Sequence, residues 1–251
     1  MIRIIRNERM KYLNLTKFSI QVIILAFAAF VFSVAAHQYG NSVQLVSGSF
    51  YLAFLKGGLN GIFLKPLLPI LMIISTVSVV ADDYTSGSLK FTLVSKIRRE
   101  KVIGAKMIFL FALTFILMVL AFVITALIGY LLFYDLNSIF HKTFFHIFSI
   151  YLLSSVLIFP IIVLTTLISL LCDNYQGALG LSLGVYLVFF TIDNVIPQIK
   201  FLSPTGGLSY CNALFISLKN DGIRFLLSAL IYVVLLLIIN IILFRRKDMT
   251  I

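Results

Sequence analysis

The side chains of this chain that could do chemistry gather in one place. Between Asp82 and Lys106 stand three of the nine acids, Asp82, Asp83 and Glu100, and six of the twenty basic residues, Lys90, Lys96, Arg98, Arg99, Lys101 and Lys106. Apolar sequence runs up to Val80 on one side and onward from Met107 on the other. A charged island of this kind suits electrostatic recognition. Leu89, Leu93 and Ile97 recur every four residues with Val94 beside them, which predicts one apolar stripe on a short helix. Asp82, Asp83 and Thr85 precede that helix and Lys96, Arg98 and Arg99 end it, so both ends agree with the helix macrodipole. Two roles fit the pattern: a helix lying on the inner leaflet with its bases on lipid phosphates, or a docking helix for a cytoplasmic partner.

The other reactive residue types offer less. His37, His141 and His146 all fall near predicted outer boundaries, and no H-E-x-x-H cluster accompanies them. Cys172 and Cys211 are expected on opposite sides of a membrane, where they cannot join in a disulfide, and two lone cysteines do not make a zinc site. No G-x-x-x-x-G-K-[ST] pattern occurs, so the chain is not expected to hydrolyse ATP by itself. No enzyme activity, metal or cofactor of its own is expected.

The elements that must position the island follow from composition. Hydrophobic residues make up 61% of the chain and charged ones 12%, about half of the ~25% usual in soluble domains. Apolar runs able to cross a hydrocarbon layer of about 30 Å recur near Phe18–Ala36, Pro66–Val80, Met107–Phe133, Phe144–Leu171, Tyr175–Thr191 and Phe225–Phe244. The expected fold is all-α: six transmembrane helices forming one membrane domain over residues 1–251. Phe18–Ala36 exceeds the roughly 7–15 apolar residues of a signal-peptide core, so a retained span is expected. Fourteen basic residues lie in the amino end, the 82–106 loop and the tail, against six in the remaining connections. By the positive-inside rule both termini are then cytoplasmic, in a multi-pass protein of the cell membrane. The net charge of +11 is accounted for by this asymmetry and by anionic headgroups. No aromatic-and-basic platform points to nucleic acid.

Residues 1–17 are too charged to span. Ile2, Ile5, Met10 and Leu13 can share one side, which predicts a helix in the interface. The outer connections carry apolar patches, Phe50–Leu55, Val195–Ile199 and Cys211–Leu218, too short to cross and too apolar for free loops. Short re-entrant or interfacial helices are expected there, with 192–224 broken by the turn Ser203-Pro204-Thr205-Gly206-Gly207. Gly177, Gly180 and Gly184 sit at the spacing that lets two membrane helices approach closely. Pro160 falls inside the fourth span and should kink it. No Asp, Glu, Lys or Arg falls in the middle of any predicted span, which argues against an ion-driven carrier.

These features resemble the permeases of the type-2 ABC exporter family, in which free-standing six-span subunits pair with separate ATPases. The resemblance rests on Asp82 or Asp83 after the second span, Gly87, the Leu-rich stretch Leu89–Leu93, the basic pair Arg98–Arg99 and Lys106 opening the third span. Phe201-Leu202-Ser203-Pro204 resembles the element before the family's last span. Where the family often has proline before its basic residue, this chain has Ser95-Lys96-Ile97, and it has Asp82-Asp83 where the family often has glutamate. The resemblance implies that 82–106 is a coupling loop seated in a groove of a cytosolic ABC ATPase. It makes Asp82, Asp83, Gly87, Leu89, Leu93, Ile97, Arg98, Arg99 and Lys106 the docking residues. It also implies a second permease copy or paralogue, with ATP and magnesium held by the partner ATPase. The cargo expected of a small member with an apolar bundle is an amphipathic or hydrophobic substance, above all a membrane-active peptide such as a toxin, bacteriocin or antimicrobial peptide, moved outward. The alternatives are a permease for drugs, lipids or ions, and a non-transporting assembly or sensory membrane protein.

Overall fold

A computed structural model describes residues 2–14, 16–40, 67–85, 99–133, 142–172, 174–196, 198, 200, 203–209 and 220–246. The regular elements among them are all helical: α1 (Ile2–Asn14), α2 (Thr16–Gly40), α3 (Leu68–Thr85), α4 (Arg99–Phe133), α5 (Lys142–Val156), α6 (Phe159–Leu171), α7 (Tyr175–Val195), the single turn α8 (Gly206–Ser209) and α9 (Asn220–Arg246). The cause is the composition. Long apolar runs bring few side chains that could satisfy backbone N–H and C=O groups, and a helix satisfies them internally.

Four stretches are long and apolar enough to cross a membrane: Lys101–Leu131, Phe144–Leu171, Tyr175–Val195 and Arg224–Phe244. Ile5–Tyr12 and Thr16–Phe32 meet at a bend of 64° and together make up to a fifth. The bend falls near the expected end of the interfacial helix at residue 17. Leu68–Ala81 is apolar but shorter, and the residues before position 67 that would extend it lie outside the described ones.

The core is built around α3 and α6. α6 packs against α9, α3 and α7, while α2 lies along α4 and α1 lies across both. Ile74 is the one exposed large apolar side chain of α3, so this helix is surrounded by protein. Phe122 of α4 holds α5 in place through ring contacts with Phe144, Phe148 and Tyr151 at 5.2, 5.0 and 5.1 Å. α7 and α9 are the reverse of α3. Only 22% and 17% of their apolar windows are buried. Leu181, Leu187, Val188, Leu230, Val234 and Ile238 point away from the bundle. In water such faces would be a liability, whereas against hydrocarbon they are in their proper solvent.

The predicted fourth span is two helices, broken at Leu157–Ile158. Pro160 has no N–H to give to the carbonyl four residues earlier, so the ladder cannot continue. Tighter bonds replace it, from the Leu157 and Ile158 N–H groups to the carbonyls of Ser154 and Ser155 at 3.1 and 3.2 Å.

Candidate functional site

The charged island proves to be shorter than its sequence limits. Asp82 and Asp83 continue the backbone of α3, and residues 99–106 form the first turns of α4. Gly87, Leu89, Leu93, Ile97 and Arg98, with the stripe that should dock a partner, lie outside the described residues. The helices on either side of that segment, α3 and α4, are held by a buried polar junction.

Lys106 of α4 is 4% exposed. Its ammonium donates to the Val79 carbonyl in the last turns of α3 and lies 3.7 Å from a carboxylate oxygen of Glu8 in α1. Three helices therefore meet on one side chain. A helical carbonyl keeps a second lone pair beside its intrahelical bond, and the Lys106 ammonium occupies it. Glu8, itself 5% exposed, supplies the balancing charge. Nearby, the Tyr12 hydroxyl lies 2.7 Å from the Ser75 hydroxyl of α3, and Gln21 of α2 donates to the same oxygen. Ser75 gives its own proton to the Leu71 carbonyl, so it accepts from both neighbours. Lys17 donates to Ser78 one turn further along α3. The Tyr12 ring stands edge-on to Phe109 of α4 at 5.8 Å. Burial pushes the Tyr12 phenol up, against the smaller effect of its bonds to Ser75 and Gln21, so it stays a neutral donor.

Sequence reasoning missed most of this junction. Ile2, Ile5, Met10 and Leu13 were expected to share one side of an interfacial helix; Met10 is exposed, and the side toward the bundle carries Glu8 and Tyr12. The available signal was their spacing of four, repeated by Lys17 and Gln21. Lys106 was placed among docking residues on a cytoplasmic surface, and here its side chain turns inward. Beneath it, Val102, Ile103, Thr166, Leu170 and Phe244 line a narrow apolar crevice between α4, α6 and α9.

At the opposite end of the bundle a second polar group was missed. Asp193, in the last turn of α7, is 1% exposed. Its Oδ2 accepts from the hydroxyls of Ser203 and Thr205. The turn that carries them is so tight that a Cβ on Gly206 would fall 1.8 Å from the Lys200 carbonyl oxygen. The next glycine sits against the helix break, where a Cβ would meet Leu157 at 3.0 Å. The sequence signal for Asp193 was its being the first charge after the apolar run of α7.

Gly177, Gly180 and Gly184 fall on one exposed side of α7, and a Cβ at any of them would meet nothing within 4 Å. They pack against no other described helix of this chain. Among the described residues no group of three or more His, Cys, Asp or Glu side chains could hold a metal ion. Cys172 is half-buried just beyond α6, and Cys211 lies outside the described residues.

Residues 22–250 match the family model of DUF2705, described as a protein of unknown function, and the chain belongs to that family. No curated protein matches it.

Proposed function

We propose that this DUF2705 member is the membrane-spanning subunit of an ATP-driven exporter, pushed by a separate cytosolic ATPase at the segment between α3 and α4. The observation that carries the reading is the Lys106 junction. A segment that transmits force must be anchored at both roots, or the push is lost in local bending. Here the end of α3 and the start of α4 are tied to each other through Lys106 and Val79, and to α1 through Glu8. Displacing the 86–98 segment would move three helices as a unit. The mechanism is a bias on a two-state bundle, supplied by ATP binding and hydrolysis in the partner.

In this reading six spans cross the cell membrane with both termini in the cytoplasm, and a second permease copy completes the pathway. The exposed glycine side of α7 is available to that copy. The cargo is amphipathic or apolar, a membrane-active peptide foremost, because the described spans offer little to replace the hydration of a polar solute in mid-membrane. Drugs, lipids and ions are the competing cargo.

Leu93→Glu tests the docking. A charge pressed into an apolar groove costs several kcal/mol unless paired. The variant should lose copurification with its ATPase, or hydrolyse ATP without transport. Normal copurification and normal transport together would reject the reading.

A further inference from the structure

We infer that the end of α7 and the turn at 203–206 form a binding site for a small monovalent cation, with Asp193 as its charged ligand. The inference does not depend on the exporter reading. Its starting point is an imbalance within one carboxylate. Oδ2 takes the hydrogen bonds of both hydroxyls, while Oδ1, also buried, has no hydrogen-bond partner among the described residues. A buried charged oxygen that has given up water without replacement is costly, and a cation is what removes the cost.

The surroundings favour positive charge further. Asp193 belongs to the last turn of α7, where backbone carbonyls point outward without helical partners and the dipole is negative. A carboxylate at that end is disfavoured on its own. The ends of interrupted membrane helices, with unwound backbone beside them, are a recurring place for sodium or protons to be held.

The donor set defines the class. The carboxylate and the hydroxyls of Ser203 and Thr205, whose oxygens lie 2.8 Å apart, are all oxygens. Both hydroxyl protons are directed at Oδ2; Ser203 Oγ also accepts the Thr205 backbone N–H, which leaves one lone pair there and those of Thr205 for a metal. Oxygen ligands without thiolate or imidazole select hard cations. One carboxylate balances one charge, whereas calcium sites usually recruit several. Enclosure then selects size. Asp193, Ser203 and Thr205 are 1%, 7% and 2% exposed, so an ion held there has shed most of its water. Sodium fits these terms. Its binding would fasten the turn to α7, and through Gly207 press it on Leu157 at the break between α5 and α6.

The test uses the purified full-length chain in lipid nanodiscs at fixed pH, with sodium chloride exchanged for choline chloride at constant ionic strength. Thermal unfolding should show a saturable rise in Tm with sodium that choline does not reproduce. Asp193→Asn keeps the shape and the hydroxyl bonds, and should abolish the sodium-dependent rise. Ser203→Ala removes one ligand, and should raise the half-saturating sodium concentration about five- to tenfold. Should the Asn variant fail to fold, the Ser203→Ala shift decides. Equal responses to sodium and choline, or an undiminished sodium response in both variants, would overturn the site. So would a response to pH alone, which would give the carboxylate a proton as its partner.

Discussion

Lys106 is the side chain on which the inner junction depends, because it satisfies a carbonyl and a carboxylate at once. Lys106→Met should remove the ammonium that lies beside the buried Glu8 carboxylate. The expected loss is about 3–5 kcal/mol, the range for removing one member of a buried pair. Pairing it with Glu8→Leu should return most of that stability, because an apolar pair often replaces a buried ion pair without loss. Thermal unfolding of the single and double variants measures the coupling directly. A double variant whose loss equals the sum of the two single losses would show that Glu8 and Lys106 act independently. If the junction also transmits force, the stable double variant should still hydrolyse ATP with its partner but transport poorly. At this scale the sequence was only partly legible. Lys106 could be picked out as the residue opening the third span, but the direction of its side chain depends on Val79 and Glu8, 27 and 98 positions away. Nothing local in the sequence reports such a distance. Asp193 was hidden for the same reason: its partners lie 10 and 12 residues on, beyond the end of its helix.

Among the elements, α7 shares with α9 the least complete packing within the chain. Its glycine side faces open space, so a bulky side chain there should leave the isolated subunit intact. Gly180→Leu should therefore fold with an unchanged melting point while weakening self-association about tenfold, or ~1.4 kcal/mol, in detergent sedimentation or cross-linking. Unchanged association would assign that side to lipid. The existence of the helices was legible because apolar runs of this length have few alternatives in a membrane, and Pro160 announced the break at Leu157–Ile158 by chemistry alone. The start of α4 was not legible. The sequence placed the third span from Met107, whereas the helix begins at Arg99, because charged residues lengthen a helix past the membrane as readily as they end a span. The glycine spacing was visible too, but not which body it serves.

For the whole molecule, the bundle and its apolar outer faces follow from composition, while its orientation rests on the basic residues. Cys172 and Cys211 are the natural reporters of that orientation. A membrane-impermeant maleimide added to intact cells should label Cys211 and spare Cys172 until the cells are opened. The reverse order would invert the topology and place the 86–98 segment outside. The enclosure of α3 has a consequence for how the protein is made. Leu68–Ala81 is short, and Ser75, Thr76 and Ser78 are buried against other helices. During synthesis α3 emerges before α4, α6 and α7, the neighbours that will cover it. It must wait half-finished, with the helices that cover it not yet made. A ribosome-bound chain stopped after α4 should therefore expose α3 to membrane quality-control proteases, and one extended past α7 should resist them. Equal degradation of the two lengths would show that α2 and α4 shelter it from the start.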